Sequence, residues 1–213
     1  GGSVLPNSGQ LAYLGSRPNF IGTITPGVGM EWRYPFVART AGGTHIVEPI
    51  AQIVARPNES KINSRPNEDA QSLVFDDTNL FEWSKFSGYD RFEGGMRANL
   101  GAQYVGTCSN GANLNIMAGQ SFQLSGRNSY AAANAASVGI NTGLETRRSD
   151  YVGRVGFDPI PGYSFVAKAR FDEKNFALRR LDVGANFMIG DRLSGQLLYS
   201  RYSAQPEIGF PFR

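Results

Sequence analysis

Val28-Gly-Met-Glu-Trp-Arg-Tyr-Pro-Phe-Val-Ala-Arg39 is the stretch that decides the fold class. Successive side chains of an extended strand point to opposite sides. Val28, Met30, Trp32, Tyr34 and Phe36 therefore share one face, and Glu31, Arg33 and Arg39 share the other. One wall of this strand is oily and aromatic, while the other carries full charges. Soluble sheets alternate as well, but aromatics opposed to ions describe a strand with hydrocarbon on one side and water on the other.

Outward from this strand the pattern repeats. After an Ala41-Gly-Gly turn, Val47, Pro49, Ala51, Ile53 and Ala55 alternate with Glu48, Gln52 and Arg56, which predicts a second strand over about 44–56 and a hairpin with the first, over about 27–40. From Arg91, Phe92, Met96, Ala98, Leu100, Ala102 and Tyr104 alternate with Glu93, Arg97, Asn99 and Gln103. Asn110-Gly111 then marks a hairpin, and Leu114, Ile116, Ala118, Phe122 and Leu124 carry the return strand, with a bulge expected near Gly119-Gln120. Four further strands follow, at about 150–158, 162–173, 175–189 and 192–203. Their apolar faces hold Val155, Phe157, Phe165, Phe171, Leu181, Val183, Phe187, Leu193, Leu197 and Tyr199, and their polar faces Arg154, Lys168, Arg170, Arg180, Asp182, Asn186 and Gln196. The fold expected is all-β, with about eight antiparallel transmembrane β-barrel strands.

The connections are uneven. Residues 1–26 read as irregular chain with a short strand near 20–25. Arg-Pro-Asn at Arg17, Arg56 and Arg65 reads as three turns, since proline presets φ and asparagine tolerates the corner. Long loops are expected near 57–90 and 126–149, against short turns elsewhere. Short turns on one rim and long loops on the other characterise outer-membrane barrels. Strict alternation would also make the connection at Glu173 long, which its sequence does not suggest.

The totals agree with this picture and exclude others. The 213 residues suit one unit, read as a single domain over 1–213. With 41% hydrophobic residues and a mean hydropathy of −0.29, no stretch approaches the roughly 20 consecutive apolar residues of a spanning helix, whereas barrel strands need only every second residue apolar. The formal net charge of +3 is dispersed, which argues against nucleic acid. Cys108 is the only cysteine and His45 the only histidine, so neither an internal disulfide nor a thiolate metal centre can form, and no nucleophile has an evident base. Both ends read as cuts. No cofactor, metal or catalysis is expected.

One segment carries more than periodicity. Glu48-Pro49-Ile50-Ala51-Gln52, then Asp76, Leu80-Phe81 and Phe86-Ser87-Gly88-Tyr89-Asp90-Arg91, resemble in order and spacing the motif chain of the lipopolysaccharide-assembly outer-membrane protein family, LptD. This specific part spans about 47–100. The resemblance implies an interior piece of a very large barrel in the bacterial outer membrane. It also implies that the barrel receives lipopolysaccharide from periplasmic bridge components, encloses the plug lipoprotein LptE, and releases lipid to the outer leaflet. The family's periplasmic domain, lateral exit strands and multi-cysteine disulfides have no counterpart here. Independently of the family, Asp90 and Arg91 can pair or cap backbone at a strand start, and Asp76-Asp77 can hold a divalent cation or stand as a plain loop pair.

The polar faces supply the expected contacts. Glu31, Arg33, Glu48, Gln52, Arg56, Arg97, Lys168, Arg170 and Arg180 are read as lining a lumen and meeting lipid headgroup phosphates or the plug, with Trp32, Tyr34, Phe36, Tyr104, Phe165 and Phe187 toward membrane lipid. Two alternatives remain: a diffusion porin or small independent outer-membrane barrel lined by the same charges, and a soluble sugar-binding β-sandwich whose aromatic faces pack on each other.

Overall fold

The computed structural model describes residues 25–58, 74–88, 91–131, 141–190 and 193–203. Among them there are nine strands and no helix: β1 (Val28–Arg33), β2 (Phe36–Thr40), β3 (Gly43–Arg56), β4 (Gly95–Cys108), β5 (Asn113–Ser125), β6 (Tyr151–Asp158), β7 (Tyr163–Phe171), β8 (Leu178–Ile189) and β9 (Leu193–Tyr202). All belong to one antiparallel sheet in which β1 and β2 both pair with β3, and β3 through β9 follow one another as an up-and-down meander.

β1 and β2 are one strand interrupted. Val28 faces Ala55 and Phe36 faces Val47, so both halves keep a single register against β3. Proline has no N–H to give the ladder. At Pro35 the pairing lapses, and only the bond from Tyr34 N–H to the Pro49 carbonyl, at 3.4 Å, spans the gap. With that interruption counted, the eight expected strands are present.

The two faces sort as the alternation requires. Val28, Met30, Trp32, Tyr34, Phe36, Leu100, Val155, Phe165, Leu197 and Tyr199 all lie exposed on one face. The register joins them across strands, Val155 to Ala167 to Val183 to Tyr199, into a continuous apolar band. A sandwich would cover such a band with a second sheet. The described residues form one sheet only, and the band stays open, which removes the sandwich reading.

Three expectations need correction, and the short turn near Glu173 holds. The bulge is not at Gly119-Gln120, where Gly101 faces Gly119 and Leu100 faces Gln120 in unbroken register; it lies between Met96 and Arg97, whose partners are Ser125 and Gln123. β4 begins at Gly95 rather than Arg91, because Gly95 adopts φ +83°, outside the extended region. The stretches 74–88 and 141–150 are not merely surface loops but contribute the buried core described below. The connection 172–177 does sit on the long-loop rim, yet it is a compact turn in which the Phe176 N–H bonds the Asp172 carbonyl at 3.1 Å and the Phe176 ring stacks on Tyr151 at 4.6 Å. The short strand near 20–25, except its last residue, the turns at Arg17 and Arg65, and most of the loop 57–72 lie outside the described residues.

Candidate lumenal site

The charged face of β3–β6 is covered by the chain's own connections. Gly101 and Gly119, paired on that face, leave a hollow in the wall. A Cβ on Gly119 would stand 2.4 Å from Leu80 Cδ2 and one on Gly101 would stand 3.0 Å from Phe81 Cζ, so the two glycines exist to admit Leu80-Phe81. Around this dock Phe75, Leu80, Phe86, Tyr130, Leu144 and Val152 form the hydrophobic core. Its members come from 74–88, from the 126–150 connection and from the wall. Phe86 stacks on Tyr130 at 4.7 Å, and the Phe75 N–H donates to the Thr142 carbonyl at 3.0 Å, which ties the two inner segments together. Burial of each large apolar side chain contributes about 2 kcal/mol, enough to seat the segment firmly. Ile50 and Val54 are buried on the same face, which explains why β3's inner side is not purely polar.

Beneath the core lies a dry polar network. Asn99 Nδ2 donates to Gln52 Oε1 at 2.7 Å, and Gln52 Nε2 donates to Glu31 Oε2 at 2.9 Å and to the Phe81 carbonyl at 2.8 Å. Arg97 pairs with Glu93, donates to Ser121 Oγ at 3.2 Å and lies over the Tyr130 ring at 5.5 Å. Lys85 Nζ reaches Asn99 Oδ1 at 3.4 Å and Glu93 Oε2 at 3.8 Å. Burial lowers the Lys85 ammonium to about 8, the charge of Glu93 opposing that shift and those of Arg97 and Arg56 adding to it. Asn128 holds the 141–150 segment from the side, its amide donating to the carbonyls of Leu144 and Thr146 at 2.8 and 3.1 Å.

A second cluster joins the inner segment to β6 and β7. Arg154 and Lys168 face each other across these strands. Asp77 sits against both, 3.3 Å from Lys168 Nζ and 3.8 Å from Arg154 Nε, while Asp76 lies 3.6 Å from Lys168. Asp76 also accepts from the Thr78 N–H at 2.8 Å, closing the turn that presents both acids. Three or more metal-ligating side chains do not converge anywhere among the described residues. The Asp76-Asp77 pair meets wall cations instead. Arg170 holds the other inner segment: its guanidinium donates to the Thr142 and Asn141 carbonyls and lies 3.4 Å from Asp150.

The nine residues read as lumenal thus fall into three situations. Gln52, Arg97 and Arg170 are buried and engaged by the chain's own segments. Glu31, Arg33 and Glu48 form a half-open chain, with Arg33 Nε 2.6 Å from Glu31 and NH1 3.8 Å from Glu48. Lys168, Arg180 and Arg56 are partly open, Arg180 meeting Asp182 at 2.5 Å and the Tyr202 ring at 5.1 Å. Of the motif residues, Pro49 faces Ala102 in the β3–β4 ladder, Phe86 is core, Gly88 takes φ +75° beside Ser87, and Arg91 stacks over Phe86 at 4.6 Å. Asp90 lies outside the described residues. Sequence reasoning missed Lys85, Asn128, Tyr130 and Leu144. The signal available was apolar: Phe75, Leu80, Phe81 and Phe86 have no place in a solvated loop.

The motifs over 47–100 are part of a wider likeness. A family model described as LptD, LPS transport system D, matches residues 8–209. No curated protein matches the chain. The chain belongs to the LptD family, whose members are outer-membrane β-barrel proteins of lipopolysaccharide transport.

Proposed function

We propose that this chain is a wall segment of the outer-membrane translocon that assembles lipopolysaccharide into the outer leaflet. The observation that carries the proposal is the division of one sheet into an open apolar band and a charged inner face, in a chain of this family. Unpaired strand edges are intolerable in hydrocarbon. The free edges of β1/β2 and β9 therefore pair, in this reading, with further strands of one larger barrel, of which 1–213 is a single-domain part. The connections after β2, β4, β6 and β8 are short and face the periplasm; those after β3 and β5 are long and face outward. Residues 74–88 and 141–150 then fold back into the lumen from the outer side and close that stretch of wall against leakage. Glu31, Arg33, Glu48, Arg56, Lys168 and Arg180 remain on the wetted face to meet lipid phosphates or the plug lipoprotein LptE, with periplasmic bridge components delivering the lipid below.

Photo-crosslinking side chains at Arg33, Lys168 and Phe36 of the full-length protein in living cells test this. Lipopolysaccharide adducts are expected at the first two and not at Phe36. Correct insertion with adducts nowhere would favour an ordinary porin and overturn the reading.

A further inference from the structure

Arg154 and Lys168 stand directly opposite each other on β6 and β7. Like charges in that position repel. The nearest acid on the wall, Asp182, faces Lys168 from β8 but is held 2.5 Å from Arg180. The two cations are instead neutralised from outside the wall by the acids of the inner segment, Asp77 against both and Asp76 at 3.6 Å from Lys168. That contact is unusual for a buried acid. Asp77 is 6% exposed, and its Oδ1 has no hydrogen-bond partner. Its distances of 3.3 and 3.8 Å exceed the roughly 2.7–2.9 Å of a charge-assisted hydrogen bond. A carboxylate held by charge alone, between two cations whose side chains stay 37% and 27% exposed, leaves donors of both cations unused.

We infer that Arg154 and Lys168 form a binding site for a lipid-borne phosphate, and that Asp77 masks it until such a group arrives. The inference rests on the transport reading above and deepens it. A phosphate supplies up to two charges and three acceptor oxygens, so it satisfies guanidinium and ammonium together where one carboxylate cannot reach either at bonding distance. The inner segment need not leave. Phe75 and Leu80 keep it seated on either side, and only the Asp77 carboxylate has to rotate away. Arg154 already spends NH2 on Asn115 Oδ1 at 3.0 Å, which aims the rest of its fork at the site.

The test measures binding of fluorescent lipopolysaccharide by the full-length protein in its native complex, with dephosphorylated lipopolysaccharide and inorganic phosphate as comparison probes. Asp77→Asn unmasks the pair and is expected to tighten lipopolysaccharide binding roughly fivefold, with no change for the dephosphorylated lipid. Arg154→Gln and Lys168→Gln combined with Asp77→Asn, so that no buried carboxylate is left without its cations, is expected to weaken binding of phosphorylated lipid by a similar factor, with Phe75 and Leu80 seating the segment as before. Unchanged affinity in both variants, with wild type binding normally, sinks this inference and leaves the transport reading standing. Full competition by millimolar inorganic phosphate assigns the site to a free anion and overturns the lipid assignment. Failure of wild type and all variants to bind lipopolysaccharide sinks the transport reading itself.

Discussion

The inner faces of β3–β5 and of β8–β9 are written in the same alternating code and end in opposite environments. Beneath the inner segments the polar side chains of β3–β5 are dry: Gln52, Arg97, Asn99 and Ser121 are all buried. Toward β8–β9 the same parity leaves Arg180, Asn186, Gln196 and even Leu198, at 74% exposure, open. Alternation specifies which side of the sheet a residue faces. It does not specify whether that side is wet, because wetting depends on a segment supplied from elsewhere in the chain.

The sharpest way to break the contrast is to remove the dock. Leu80→Ala empties a fully buried site and is expected to cost roughly 3–4 kcal/mol, read by denaturant unfolding, and to expose 74–88 to protease. Leu198→Ala, the control on the open side, is expected to stay within about 0.5 kcal/mol. A loss at both positions would mean that β8–β9 is also covered in the native protein.

The second test concerns the two faces. Phe36→Arg on the apolar band is expected to cost on the order of 2–4 kcal/mol near mid-bilayer and much less near an interface, whereas Leu198→Arg on the inner face is expected to cost under about 1 kcal/mol. Equal costs in a membrane-insertion assay would invalidate the face assignment.

The third uses pH. Lys85 titrates at about 8 when folded and near 10.5 when unfolded. Below pH 8 both states are charged and the burial cost is fully present. Between 8 and 10.5 the unfolded chain binds more protons, so stability rises with pH, by about 3 kcal/mol in total. Lys85→Met is expected to flatten that rise in unfolding curves taken across the window; an unchanged slope would show that the network is wet.

Smallest is the effect of Arg180→Gln. Its partner Asp182 and the Tyr202 ring are on the open side, so breaking the pair is expected to cost no more than about 1 kcal/mol, and the cost is expected to shrink in high salt.

Much of this was legible beforehand. Strands expected at 150–158, 162–173, 175–189 and 192–203 are found at Tyr151–Asp158, Tyr163–Phe171, Leu178–Ile189 and Leu193–Tyr202, because each is bounded by turn chemistry and alternates without interruption. Gly119 shows where such reading fails. A glycine inside a strand signals either a bulge or a close approach, and only the position of Leu80, 39 residues away in sequence, selects the second. The apolar residues of 74–88 are visible in the sequence, but nothing local names their neighbours, and Lys85 reads like any solvated loop lysine.

The sequence alone determined the strand set, the antiparallel class, the partition of side chains between two faces and the family motif, since all of these are local in the chain or follow from the period of two. The tertiary structure alone decided which inner residues are buried, why two facing glycines are required, and that Asp77 answers Arg154 and Lys168. Those depend on contacts between segments far apart in sequence, which no local periodicity encodes.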